Sequence, residues 1–150
     1  SLNSSVGTNT SNIATNSNDI TTLQNQVSNL QSSSGSSEEY SNSINVSGTS
    51  SVTLDVDAYK LHVINFTSSG SVVSSINYSN VPSSGTISSI LIVVKYSGSA
   101  TVTWTNVKWA GNITPYLTAS SQKSDIFSLV TYDGGSNWIG SVVATNVSGL

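Results

Sequence analysis

The hydrophobic period of the chain changes once. In the first thirty residues Leu2, Val6, Asn9, Ile13, Asn16, Ile20, Leu23, Val27 and Leu30 follow one another at steps of four and three without a slip. This is a heptad seam, with Val6, Ile13, Ile20 and Val27 at the a positions and Leu2, Asn9, Asn16, Leu23 and Leu30 at d. The spacing predicts a helix over residues 1–31, about 45 Å long at 1.5 Å per residue. The remaining positions are mostly Ser, Thr, Asn and Gln, indifferent helix formers, and Gly7 weakens the first heptad. Such a helix is unstable alone in water. It is expected to bury its seam against copies of itself as a parallel coiled coil. The e positions Thr10, Ser17 and Gln24 and the g positions Asn12, Asp19 and Gln26 carry one charge between them, so interhelical ion pairs cannot choose the partner.

A Ser/Gly-rich stretch over residues 32–38 reads as a linker. Beyond it the period is two. Ile44 and Val46, then Val52, Leu54 and Val56, then Leu61 and Val63, then Val72, Ile76 and Tyr78 alternate with polar residues. Ile87 to Tyr96 is apolar on both faces near its centre, the pattern of an internal strand. Ala100 to Val107 alternates again. Asp125 to Tyr132 and Asn137 to Ala144 flank Asp133-Gly134-Gly135-Ser136, where glycine beside aspartate permits the positive φ of a tight hairpin. Further turns are expected at Ser69-Gly70, Pro82 to Gly85 and Ser97-Gly98. Short, evenly spaced strands of this kind predict one all-β sandwich, jelly-roll-like, over residues 39–150. The fold class is thus mixed, a helical stalk followed by a β head.

Composition narrows the partners. Only 7% of the 150 residues are charged and the net charge is −3. That excludes the basic face that phosphate backbones require and an electrostatic membrane anchor. There is no cysteine, hence neither disulfide nor thiolate metal site. No apolar run reaches the length of a membrane span. The chain has no methionine and begins with Ser1, as expected of a processed product or a fragment with a region upstream.

Catalytic chemistry is sparse. His62 is the only histidine and no strained GxSxG elbow accompanies it. Lys60, His62, Ile64 and Phe66 share a strand parity; a metal on a threefold axis would need His62 to face that axis, and an ordinary strand histidine is the plainer expectation. Asp55 and Asp57, placed on one strand face, are the only pair arranged like the carboxylates of a glycosidase, and turn or surface roles are expected of them. No catalytic residue, metal or organic cofactor is expected. Among the aromatics, Trp104 and Trp138 are expected in the core or a subunit interface. Trp109, in a turn beside Gly111, is the one expected at the surface. With Asn112 and Tyr116 it forms the candidate receptor- or glycan-binding set.

Two stretches carry resemblances. Val6-Gly7-Thr8-Asn9-Thr10 and Ile13-Ala14-Thr15-Asn16-Ser17 place a β-branched a residue three before an Asn at d. This resembles the stalks of trimeric adhesins and phage fibres. The resemblance implies a homotrimer in which Asn9 and Asn16 point inward and hold chloride or another anion on the axis. Thr53-Leu54-Asp55-Val56, Thr101-Val102-Thr103-Trp104, the string Val107-Lys108-Trp109-Ala110-Gly111-Asn112-Ile113-Thr114-Pro115, Asp125-Ile126-Phe127-Ser128 and Tyr132-Asp133-Gly134-Gly135-Ser136-Asn137-Trp138-Ile139-Gly140 resemble, in that order, the C-terminal domain of tail-fibre and other virion structural proteins of tailed phages, marine and cyanobacterial ones especially. The family tends to have Pro-Gly-Gly where Ala110-Gly111-Asn112 stands here. The resemblance covers roughly residues 50–145. It implies a non-enzymatic trimeric fibre on the virion, outside the cell, attaching to a host-surface glycan or receptor and meeting other virion proteins through its upstream region. A purely structural fibre or decoration protein and an extracellular adhesin are the alternatives.

Overall fold

The computed structural model describes residues 1–33 and 41–150, with side chains for 1–29 and from Ser41 onward. The chain divides into two compact units, Ser1–Glu38 and Glu39–Leu150. The linker expected over 32–38 lies, beyond Ser33, outside the described residues.

The first unit carries one helix, α1 (Leu2–Ser33). Nothing local favours it strongly: its first turn has no acid and its last turn no base to complement the helix dipole. Its hydroxyls turn back onto the helix instead. Thr8, Thr10, Ser11, Thr15, Thr21, Thr22 and Ser28 donate to the carbonyl four residues earlier at 2.9–3.2 Å. This satisfies the side chains without supporting the helix.

The second unit is β-rich, with two sheets around one core. Its strands are β1 (Ser41–Val46), β2 (Thr49–Asp55), β3 (Leu61–Phe66), β4 (Ser71–Ser79), β5 (Ser88–Tyr96), β6 (Ala100–Val102), β7 (Val107–Trp109), β8 (Lys123–Thr131) and β9 (Trp138–Ser148). Successive strands alternate between the sheets at first. β1, β3 and β5 pair in parallel in one sheet, and β2, β4 and β6 pair in parallel in the other. The first sheet continues antiparallel through β8 and β9 and ends on β7, giving the order β1-β3-β5-β8-β9-β7. A jelly roll, with its antiparallel neighbours, is therefore not the connectivity. Each short link from β1 to β6 is an arch that folds the chain over the core, not a hairpin that returns it along the same sheet. Alternation tells which side chains face inward, but arches and hairpins both do that with the same small residues.

The arches are tied to one another by serine and glycine. Gly48 N donates to Ser71 Oγ (3.2 Å), and Ser71 Oγ donates to Ser68 O (2.8 Å). Gly70 N donates to Ser99 O (2.7 Å), and Ser69 and Ser99 share a hydroxyl contact of 3.1 Å. Gly98, at φ 151°, lies so close to Ser69 that a Cβ there would stand 2.6 Å from its Oγ.

The core comprises Val46, Val52, Leu54, Val56, Ile64, Phe66, Val73, Ile76, Ile90, Ile92, Val94, Phe127, Leu129 and Trp138, with Tyr96, Val102 and Trp109 at its margin. Three expectations shift. Val73, not Val72, is buried beside Ile76, because an irregularity opposite Ser50 and Ser51 skips Ser74 and reverses the parity of β4. On β3 the inward residues are His62, Ile64 and Phe66, so Leu61 and Val63 face outward. The run expected as one strand from Ala100 to Val107 breaks after Val102 and passes from one sheet to the other, with Asn106 at φ 56°. The Asp133–Ser136 hairpin is present, joining β8 to β9.

Candidate functional site

Two regions carry the candidate functional residues, one in each unit. On α1 every described side chain through Asn29 is exposed. Leu2 is 81% and Ile13 69% exposed, and Val6, Ile20, Leu23 and Val27 are more than half exposed. Asn9 and Asn16 share that stripe; the Leu30 side chain lies outside the described ones. Ile20, Leu23 and Val27 line a shallow apolar groove with Gln24 and Ser28. Six large aliphatic side chains thus form an exposed stripe on one face of an otherwise polar helix.

In the second unit Trp109 ends β7, and the loop from β7 to β8 carries Asn112 and Tyr116. Trp109 is a correction: it is buried, 8% exposed. Its ring packs edge-on against Trp104 (centroids 5.2 Å) and Phe127 (5.8 Å). It lies flush on Gly140, where a Cβ would come within 2.6 Å of its Cζ3. Glycine and tryptophan thus complete the sandwich beside β9, and the sequence neighbourhood of a turn concealed that packing. Asn112 and Tyr116 are exposed, Tyr116 at 94%, and Ile113 stands out beside them. Gly111 and Asn112, at φ 65° and 58°, form the single turn that lifts Ile113 away from the sheet. Trp109, Ile113, Pro115, Gly140 and Val142 line a groove of about 320 Å³. Trp109 belongs to that groove as a wall, Ile113 and Val142 are its exposed apolar residues, and Tyr116 is not among the residues that line it.

The far end of this loop is pinned by Asp125. Its carboxylate is fully buried and accepts hydrogen bonds from Thr118 N (2.7 Å), Thr118 Oγ1 (2.6 Å), Tyr96 Oη (2.7 Å) and Asn146 N (3.0 Å). Burial alone would raise its pKa. The donors from Thr118, Asn146 and Tyr96 outweigh burial and hold it below the ordinary carboxylate value. Burial, reinforced by this carboxylate, pushes the Tyr96 phenol well up. Asn146, at φ 57°, occupies the irregular part of β9, and Asp125 meets the amide freed there. Asp125 is thus neither a surface nor a turn carboxylate. Only its place at the head of a hydrophobic strand hinted at more.

The other carboxylates are turn formers. Asp55 closes β2, accepting from Asp57 N, Ala58 N and Asn80 Nδ2. Asp57 lies in the turn, so the two are not paired on one strand face. Asp133 braces the β8–β9 hairpin by accepting from Thr131 Oγ1, Asn137 N and Asn137 Nδ2 at 2.9–3.0 Å. These donors hold both carboxyls below their usual value.

His62 faces the core, fully buried, with both ring nitrogens unpartnered. Burial pushes its pKa down, opposed by Tyr59 and Asp55. Lys60 precedes β3 and donates to Val56 O at 2.6 Å. An inward imidazole cannot meet a metal on an assembly axis. Among the described residues no three His, Asp or Glu side chains gather as metal ligands. No helix there is long and apolar enough to cross a membrane. No protein-family model, curated protein or solved structure matches the chain.

Proposed function

We propose that the chain is a homotrimeric virion fibre whose helices form a parallel coiled-coil stalk and whose β units attach to a host-surface glycan or receptor without enzymatic chemistry. The observation that carries this reading is the uninterrupted four-three seam on a helix with no other source of stability. Asn9 and Asn16 at d fix strand number and register, and three amide groups directed at one axis bind chloride or another anion. Attachment works by avidity: three heads presented together bind a surface far more tightly than one. Asn112, Ile113 and Tyr116 are the contact residues, with Trp109 supporting them from beneath.

Light scattering of the purified chain with and without residues 1–31 tests the assembly. The full chain is expected at three chain masses, and one chain mass throughout refutes the reading. A purely structural fibre or decoration segment is the second reading, favoured by the burial of Trp109, which takes one aromatic from the surface. A surface-glycan array separates the two, since the structural version gives no specific hit that Tyr116→Ala removes.

A further inference from the structure

The six-stranded sheet has an outer face that no other described element of its unit covers. Its side chains follow from the burial pattern: Leu61 and Val63 on β3, Leu91 and Val93 on β5, Ile126 and Val130 on β8, and Ile139 on β9 all point away from the core. The register joins them across strands. Val63 stands beside Val93, Val93 beside Ile126 and Ile126 beside Ala144; Leu61 stands beside Leu91, and Val130 beside Ile139. Leu91 is 42% and Ile139 53% exposed. The side-chain charges on this face are Lys60 at its edge beside Leu61 and Leu91, Lys95 and Lys108, and among the described residues no Asp or Glu shares it. A sheet with one solvated face normally alternates apolar and polar. β5 instead reads Ile90-Leu91-Ile92-Val93-Val94, the composition of a strand covered on both sides.

We propose that this outer face packs against the same face of neighbouring copies of the chain, so that the β units, and not only the helices, form the subunit interface. The proposal rests on the homotrimeric reading. Size argues for a copy held nearby. The four strands that carry its apolar side chains, about 4.8 Å apart and some five residues long at about 3.3 Å each, present a footprint of roughly 300 Å². A standard free-standing interface buries about 800 Å² per partner. The face is thus too small to assemble alone from dilute solution, and adequate once joined helices hold the heads at millimolar effective concentration. Composition argues the same way. A face of aliphatic and hydroxyl side chains with so few charges meets its own copy without desolvating an ion pair.

The test uses the full chain, which has no cysteine of its own. Single thiol probes are introduced as Leu91→Cys and, separately, Ile139→Cys, with Thr53→Cys on the exposed side of β2 as control. Each is made in the intact chain and in one whose seam is broken by Ile13→Asp with Ile20→Asp. Maleimide labelling of Cys at 91 and at 139 is expected to be at least tenfold slower in the intact chain, with the control labelled at one rate in both. Equal rates at 91 and 139 in the two backgrounds, while light scattering still reports three chains, overturn the face and leave the helical trimer standing. A mass of one chain for the intact protein removes both.

Discussion

His62 places a polar ring in the core with no well-formed hydrogen bond to either nitrogen. It is fully buried between Asn42 of β1 and Ile92 of β5 in register, with Tyr59 edge-on at 6.0 Å and both nitrogens unpartnered. The backbone of Tyr59 and Asp55 and the Asp55 carboxylate lie near enough to favour the charged ring, Lys60 opposes it, and burial outweighs them all. The folded state therefore holds the neutral imidazole and depresses its pKa. The sign follows from linkage. Below the unfolded value near 6.5 the unfolded chain takes up a proton that the folded chain refuses, so stability falls as pH falls. One proton gives a slope of up to about 1.4 kcal/mol per pH unit, from about pH 6.5 down to the folded pKa. The window is clean because His62 is the only histidine. The carboxylates with lowered pKa act only nearer pH 4 and below. The perturbation is His62→Leu, which fills similar space and removes two unsatisfied polar atoms, each costing about 1–3 kcal/mol if buried unpaired. Some of that gain is lost to imperfect packing, so stabilisation of about 1–3 kcal/mol at pH 7 is expected, with the slope between pH 5 and 6.5 abolished. Urea unfolding followed by tryptophan fluorescence measures both. Trp104, Trp109 and Trp138 all lie in the β unit, so the signal reports that unit and not α1. A wild-type stability that is flat from pH 7 to 5, or a slope that survives in His62→Leu, refutes the reasoning.

Three further outcomes are expected. Asp125→Ala strands Tyr96 Oη, Thr118 N and Asn146 N, and should lower stability by about 3–5 kcal/mol at pH 7, read from the urea midpoint. In the wild type the stability this carboxylate provides is present above about pH 4 and is lost as pH falls through its depressed folded pKa, a loss absent from Asp125→Ala. Gly140→Ala drives a methyl to 2.6 Å from the Trp109 ring and 2.7 Å from Val107 Cγ1, and should cost about 1–3 kcal/mol with a changed near-ultraviolet tryptophan signal; an unshifted midpoint counts against the packing described. Asn9→Ile with Asn16→Ile should raise the melting temperature of the helical assembly, broaden its mass distribution by light scattering and remove its dependence on chloride; an unchanged distribution counts against Asn as the device that fixes strand number.

The helix was readable in the sequence because its signal is strictly local. Eight positions at one unbroken spacing define the exposed stripe from Leu2 to Val27 that α1 displays. The same holds for the Asp133–Ser136 hairpin and for the turns at Gly70, Gly85 and Gly98, where positive φ demands the residue that is present. What local pattern could not carry was pairing. Ile44 and Val46, Val52 and Leu54 face inward whether the chain arches over the core or doubles back beside itself, so the parallel arrangement of β1 to β6 was hidden. The skipped Ser74 was equally invisible, and it moved Val72 out and Val73 in. At the candidate site the failure had one cause. Burial of Trp109 depends on Gly140, far along the chain, and burial of Asp125 depends on Tyr96, Thr118 and Asn146 converging from three separate segments.

β5 carries a surplus that its place in the sheet does not account for. It lies inside, bonded to β3 and β8, as its double-sided apolar run implies. Being internal supplies hydrogen bonds on both edges, but it does not require apolar side chains on both faces. The core covers Ile90, Ile92 and Val94; nothing described in the same unit covers Leu91 and Val93. The same surplus occurs on α1, whose aliphatic stripe has no use within a single helix. Both surpluses are needless exposure in an isolated chain, where polar residues would serve solubility better, and both are removed by one step of association. A seam without an outward apolar sheet face, or the reverse, would be a peculiarity of one element. Their coincidence in a chain with so few charges is why self-association, more than any pocket, organises the function proposed for it.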